Sequence, residues 1–180
     1  MKKSLFAVAL AIAILASGSV SAQTISNGPY YATPSWDQQL PTAQRFIVLQ
    51  NWNSEAFLDR ETGLVWERQP VNLTFDWRNA MVNCRSHLIG NRRGWRLPSY
   101  EELTSLIDGT QNPIIPVAQQ VFLGNPGDTY WTATQVENDI SGASAYTVTF
   151  GVPGDFEASQ KVASWHVWCV RGGSGANPPF

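Results

Sequence analysis

Lysine is almost missing from this chain. Of three in 180 residues, two stand at positions 2 and 3 and the third is Lys161. The other positive charges are arginines, and they gather into no basic stripe. Nucleic acid and anionic membrane are therefore poor partners, because both need such a surface. Histidine is equally scarce, with only His87 and His166. There is no His-Glu-x-x-His, no Gly-x-Ser-x-Gly elbow and no phosphate-binding glycine loop. Glu101-Glu102 is a carboxylate pair, but adjacent helical residues diverge by about 100° and the first turn of a helix favours acids anyway. His87 reads as a surface or packing residue. With no nucleophile and base, no paired-carboxylate site and no metal cluster in its motifs, the chain does not read as an enzyme.

Long apolar runs are also lacking. The longest, Leu5 to Ala16, falls short of the roughly 20 residues that span a bilayer. It follows Met1-Lys2-Lys3-Ser4 and precedes the small residues Val20-Ser21-Ala22, the layout of a secretory signal peptide over residues 1–22. Leu15 to Ser19 resembles a lipoprotein signal, yet no cysteine is there to carry lipid. The expected product is exported, with no membrane insertion after cleavage, to the periplasm, the cell surface or the medium. Its 158 residues suit one domain with its own core, and its charge is near −4. Eight Trp, eight Phe and five Tyr supply core area, or line sugar-binding and protein-binding surfaces.

Cysteine is limited to Cys84 and Cys169. In an exported chain an even count suggests a disulfide, and two cysteines allow one pairing. Closing so long a loop stabilises by roughly 4–5 kcal/mol in the chain-entropy model. Two buried free thiols are the rival reading.

Residues 23–44 are polar and lack apolar periodicity, an extended leader outside the centre of the domain. Arg45 to Leu49 is a β-type run. Ala56-Phe57-Leu58 and Leu64-Val65-Trp66 flank the turn Asp59 to Gly63 and read as a hairpin. Beyond a Thr74 N-cap, Trp77, Met81, Cys84 and Leu88 share one helical face, with Gly90 as the stop. Ser99 and Glu102 form a capping box after Pro98. It opens a second helix with Leu103, Leu106 and Ile107 inward and Asp108-Gly109 at its end. Tyr130 to Thr134, Ala145 to Phe150 and Trp165 to Arg171 are strand candidates, separated by polar segments. The tail 174–180 reads as loose. Strands, two helices and more strands argue α+β with an antiparallel sheet.

The motifs resemble one family. Asp59-Arg60-Glu61-Thr62-Gly63-Leu64-Val65-Trp66 is similar to the opening of the Lcl C-terminal domain family, the C-terminal module of a bacterial collagen-like adhesin. Trp77 to Cys84, Gly94-Trp95-Arg96-Leu97-Pro98-Ser99, Glu101 to Asp108, Tyr130-Trp131-Thr132-Ala133-Thr134 and Cys169-Val170-Arg171-Gly172-Gly173 follow in family order. The resemblance covers residues 45–173. It implies a fold related to C-type lectins and sulfatase-modifying factors, with two helices flanking a twisted, mostly antiparallel sheet. It also implies that Cys84 and Cys169 join the first helix to the last strand. Trp66, Trp77, Trp95, Arg96, Leu97, Pro98, Trp131 and Arg171 match as framework residues, the arginines as structural hydrogen-bond forks.

In lectin-like folds the late loops present the binding face. Here the loops after Thr134 and Phe150 offer Glu137, Asn138, Asp139, Asp155, Phe156, Glu157, Trp165 and His166 as candidate ligand-binding residues. Calcium needs six to eight oxygens, and Glu137-Asn138-Asp139 is the nearest cluster. The Glu-Pro-Asn and Trp-Asn-Asp signatures of calcium-dependent lectins are missing, so no cofactor or metal is expected. The expected function is a non-enzymatic ligand-binding module, adhesin-like, for a glycan or a surface partner. Sulfated glycans fit poorly with so few lysines. The alternative is a protein–protein assembly subunit of an envelope or appendage complex. An oligomer is compatible with either.

Overall fold

A computed structural model describes residues 40–107, 121–124, 127–150 and 155–173. The expected signal peptide, the leader up to residue 39, Asp108-Gly109 and the tail lie outside the described residues. A short helical turn, α1 (Thr42–Arg45), leads into β1 (Phe46–Val48), which pairs antiparallel with β2 (Ala56–Asp59). β2 continues through the expected turn into β3 (Val65–Glu67). β9 (Val170–Arg171) closes this four-stranded sheet, in the order β1-β2-β3-β9. Strands from both ends of the domain thus share one sheet.

The second sheet has five strands in the order β4-β8-β5-β6-β7: β4 (Thr74–Phe75), β5 (Thr129–Gln135), β6 (Ser144–Thr149), β7 (Asp155–Gln160) and β8 (Trp165–His166). All pairs are antiparallel except β5 with β8. Alternation along β5 sends Tyr130 to one face and Trp131 to the other. Each face is covered by its own buried cluster. One gathers around Trp66, Tyr130, Phe150 and Trp168, the other around Trp77, Met81, Trp95 and Trp131. The fold is α+β with antiparallel-rich sheets and two principal helices, α2 (Trp77–Ser86) and α3 (Tyr100–Thr104).

Three features differ from the sequence reading. The α2 N-cap is Asp76, whose carboxylate accepts from the Asn79 N–H, while Thr74 pairs with His166 in β4. The helix ends at Ser86 with His87 in extended backbone, so Leu88 leaves the apolar face and lies exposed. Gly90 serves a turn instead, with φ +58°, where a Cβ would meet Trp52 Cβ at 2.6 Å. Second, Trp165 to Arg171 is not one strand. Its two ends join different sheets, and the buried residues Val167, Trp168 and Cys169 bridge the gap. Third, β7 had been assigned to a polar connection. It is an edge strand in which the adjacent Glu157 and Ala158, on opposite faces, are both exposed, and its composition is more polar than that of a core strand.

The motif residues tie these layers together. Asp59, fully buried, accepts two bonds from Arg45 at 2.8–2.9 Å, plus the Glu61 N–H and the Thr62 hydroxyl. Arg45 also donates to the Ser105 carbonyl beyond α3. Arg96 forks onto Glu102 with two 2.6 Å bonds and donates to the Gly172 carbonyl. Glu102 completes the capping box with Ser99. Arg171 donates to the Arg93 carbonyl. Indole N–H groups of Trp77, Trp95, Trp131 and Trp168 each donate to a backbone carbonyl. Leu97 and Pro98 are buried beside them.

Arg45 also pairs with Glu61 at 3.0 Å, so the charge left without a counter-ion on breaking this pair is the fully buried Asp59. We expect Arg45→Met to lower stability by about 3–5 kcal/mol in urea unfolding at neutral pH. Adding Asp59→Leu should recover much of that loss, because it removes the buried carboxylate.

Candidate functional site

Antiparallel pairing decides where the nominated ligand residues go. Thr129 lies opposite Thr149, which lies opposite Asp155. The turn after β5 therefore sits at the opposite end of the five-stranded sheet from Thr149 and Asp155, about 20 Å away for strands of this length. The expectation that the loops after Thr134 and Phe150 build one face is corrected by this register. Glu137, Asn138 and Asp139 occupy the β5–β6 turn. Asp155, Phe156 and Glu157 belong to edge strand β7, of which only Glu157 has a described side chain, and it is exposed. Trp165 and His166 lie on β8, three strand positions away from β7.

Several of these residues are occupied structurally. The half-buried Trp165 donates its indole N–H to Ser159 Oγ at 2.8 Å and packs against the second core cluster. Asp139 folds back on the Ser141 N–H and hydroxyl. The Ser141 hydroxyl, with Ser144 helping, pulls its carboxyl down to about 2. His166 Nε2 lies 3.4 Å from Asp128 Oδ2. This pair lines a cleft of about 640 Å³ with Gln69, Asn72, Leu123 and Tyr130.

Glu137 is placed differently. It lines a cleft of about 370 Å³ with Tyr100, Glu101, Thr134 and Tyr146. Tyr100 and Glu101 open α3, Thr134 and Tyr146 come from the facing strands, and Glu137 comes from the turn above. The Tyr100 and Tyr146 rings are 5.8 Å apart at 49°. The Tyr100 N–H donates to Thr134 Oγ1 at 2.9 Å, fixing the start of α3 to β5. Both carboxylates, Glu101 and Glu137, stand exposed. Aromatic faces beside open hydrogen-bond acceptors can stack against a sugar ring and accept hydrogen bonds from its hydroxyls. Of this cleft the sequence nominated only Glu137. Tyr100, Glu101, Thr134 and Tyr146 come together through the docking of α3 on β5 and β6, which carries no local signal.

Cys84 and Cys169 form the disulfide, both fully buried, and it joins α2 to the segment between β8 and β9. Residues 55–171 match the family model of the Lcl C-terminal domain. The chain belongs to this family. No curated protein matches the sequence. The matched stretch of this Lcl C-terminal domain begins at Glu55, so α1 and β1 lie outside it although β1 pairs with β2 inside it. The disulfide is consistent with export to an oxidising compartment.

Beside the disulfide lies a pair that the sequence reading passed over. His87, expected at the surface or in packing, is half-buried, and its Nδ1 lies buried 3.7 Å from Oε1 of the buried Glu67. That distance is too long for a hydrogen bond. Burial pushes the Glu67 carboxyl up to about 8, against a smaller downward pull from the Cys169 N–H. Burial also lowers His87. Both shifts favour neutral forms, so this is a pair of neutral groups at pH 7 rather than a salt bridge. Asn53, Glu55, Arg68 and Leu123 line the same cleft, of about 490 Å³. Among the described residues, Glu67, His87 and Cys169 are the one group of three metal-capable side chains, with ligand atoms within 4.8 Å of one another. In the disulfide, Cys169 has no thiolate to offer.

An unfolded glutamate loses its proton near 4.5, whereas folded Glu67 keeps its own up to about 8. The stability this contributes is full below about 4.5 and is lost as pH rises through 8, by at most about 1.4 kcal/mol per pH unit. His87 acts oppositely, but only below its ordinary 6.5. The window from 6.5 to 8 thus belongs to Glu67. Unfolding free energy should fall across this window in the wild type and stay flatter in Glu67→Gln. Equal slopes in urea titrations of the two proteins would assign the titration elsewhere.

Proposed function

We propose that this chain is an exported, non-enzymatic recognition module of C-type-lectin-like architecture, adhesin-like, that binds a glycan in the Tyr100–Tyr146 cleft. The observation that carries this reading is the cleft itself. It sets two tyrosine rings beside two exposed carboxylates and a threonine on a scaffold fixed by the capping box and the Tyr100–Thr134 bond. A rigid platform spends little binding energy on ordering its own groups. The acids suit hydroxyl-rich, neutral sugars and repel sulfated ones. Lys161, the one lysine of the expected mature chain, is already engaged by Gln135, the Gly142 carbonyl and the Trp77 ring. Export to the periplasm, cell surface or medium accords with the disulfide and the family.

One observation favours the assembly reading. The exposed apolar residues Val71, Leu88 and Leu123 rim the adjoining clefts that carry His166 and His87. Such a rim suits a protein partner more than a sugar.

A glycan array on the oxidised protein, run with calcium and with chelator, tests the first reading. Binding of a neutral glycan class should occur in both conditions. Tyr146→Ala should weaken it at least tenfold and Glu137→Gln severalfold, with folding unchanged by tryptophan fluorescence. Background signal from folded wild type would move the function to the apolar-rimmed surface and protein assembly.

A further inference from the structure

The corner around the disulfide gathers more ligand atoms than a disulfide needs. Cys84 ends the buried face of α2, and His87 follows it by three residues as the helix C-cap, its N–H bonded to the Cys84 carbonyl. Glu67 closes β3, and Cys169 lies opposite it, exchanging backbone and side-chain bonds with it. Three separate segments therefore converge on one point. His87 Nδ1 is buried there without a hydrogen-bond partner, an arrangement that is unfavourable unless something else uses the lone pair. Glu67, His87 and Cys169 already lie within 4.8 Å of one another, and Cys84 Sγ is bonded to Cys169 Sγ. In tetrahedral zinc sites, bonds of about 2.3 Å to sulfur and 2.0–2.2 Å to nitrogen or oxygen set ligand atoms roughly 3.3–3.8 Å apart. The cluster needs to contract by only about 1 Å, while the two sulfurs move apart once they are no longer bonded. The cleft lined by Glu67 and His87 opens to solvent and gives the ion a path.

We propose that, in the dithiol state, Cys84, Cys169, His87 and Glu67 form a four-ligand site for zinc. Every chain passes through that state, because both cysteines are thiols when the polypeptide is made. Binding replaces the two thiol protons, and any proton on Glu67, which leave to solvent while two Zn–S bonds form. The zinc-bound and disulfide forms exclude each other. Closing the disulfide takes two electrons from the sulfurs, reduces the disulfide of an external oxidant to two thiols that take up two protons from solvent, and frees the ion. Either form links α2 to the β8–β9 segment, so zinc holds the fold in the register that oxidation later locks. The softness of two thiolates and an imidazole favours zinc over calcium or magnesium.

The test refolds the full chain from a reduced, unfolded state with a phosphine reductant, with cobalt(II) or zinc(II) at one equivalent, beside the oxidised protein. The reduced chain should bind one cobalt with thiolate charge-transfer and tetrahedral ligand-field bands, and zinc should displace it. The oxidised chain should show neither band. Glu67→Gln and His87→Gln should each weaken cobalt binding tenfold or more, and His166→Gln should leave it unchanged. Should the reduced chain fail to fold without metal, one equivalent of zinc should restore native tryptophan fluorescence. The proposal is overturned by a reduced chain that neither binds cobalt stoichiometrically nor refolds with zinc. Binding equally strong in Glu67→Gln and His87→Gln also overturns it, since that ion would be held by the thiols alone.

Discussion

The fold depends on three buried residues that change sheets. Val167, Trp168 and Cys169 follow β8 in the five-stranded sheet and precede β9 in the four-stranded one. Along them the side chains alternate, so Trp168 enters one core cluster while Val167 and Cys169 enter the other. Trp168 touches Phe57, Trp66, Phe122, Tyr130 and Phe150, rings from both sheets. A buried ring of this size carries several kcal/mol of stabilisation. Its neighbour Cys169 is covalently held to α2. The same stretch exchanges backbone bonds with Glu67, which is why a carboxyl ends up so deeply buried beside the disulfide.

Around that crossing, charge serves the framework. Asp59 is saturated by an arginine, a backbone N–H and a hydroxyl. Glu102 is held by Arg96 and by its own helix start. Isolated exposed ion pairs contribute little, but these are buried, forked and joined to backbone. Their effect is to fix which loop meets which strand. Arg96 illustrates this, linking α3 to the Gly172 carbonyl past β9. The Asp59–Gly63 turn needs its glycine for one bond as well: the Gly63 N–H returns to the Asp59 carbonyl with φ +70°.

Local chemistry was legible in the sequence to the extent that it is local. The hairpin at Asp59–Gly63, the Ser99–Glu102 capping box and the inward face of Cys84 need only a few neighbouring residues, and they stand where the patterns put them. The cap at Asp76 was missed because Thr74 also fits the rule, and strand pairing with His166 claims it. The break within Trp165–Arg171 was invisible because a β-rich run looks the same whether it stays in one sheet or crosses to another. Strand β7 was hidden by its polar composition at the edge of the sheet. The nominated ligand face failed for a topological reason: successive antiparallel loops fall at opposite ends, and nothing in either loop reports that. Glu67 and His87 meet across 20 residues of chain beside the Cys84–Cys169 disulfide, again without a local trace.

The same geometry separates side chains bonded into the framework from those left open to solvent. Glu101 and Glu102 are neighbours, yet the turn of about 100° per residue sends Glu102 onto Arg96 and leaves Glu101 facing the cleft. Gln135 and Glu137 are two residues apart. Gln135 is spent on Lys161, while Glu137 stands exposed at the cleft it lines with Tyr146. In each pair one side chain holds the structure rigid and the other is left to solvent on that rigid support. An acceptor held by a fully bonded neighbour keeps its position without a partner of its own. That is the condition for binding by hydrogen bonds with little ordering loss, and it is met here where α3 abuts the β5–β6 turn.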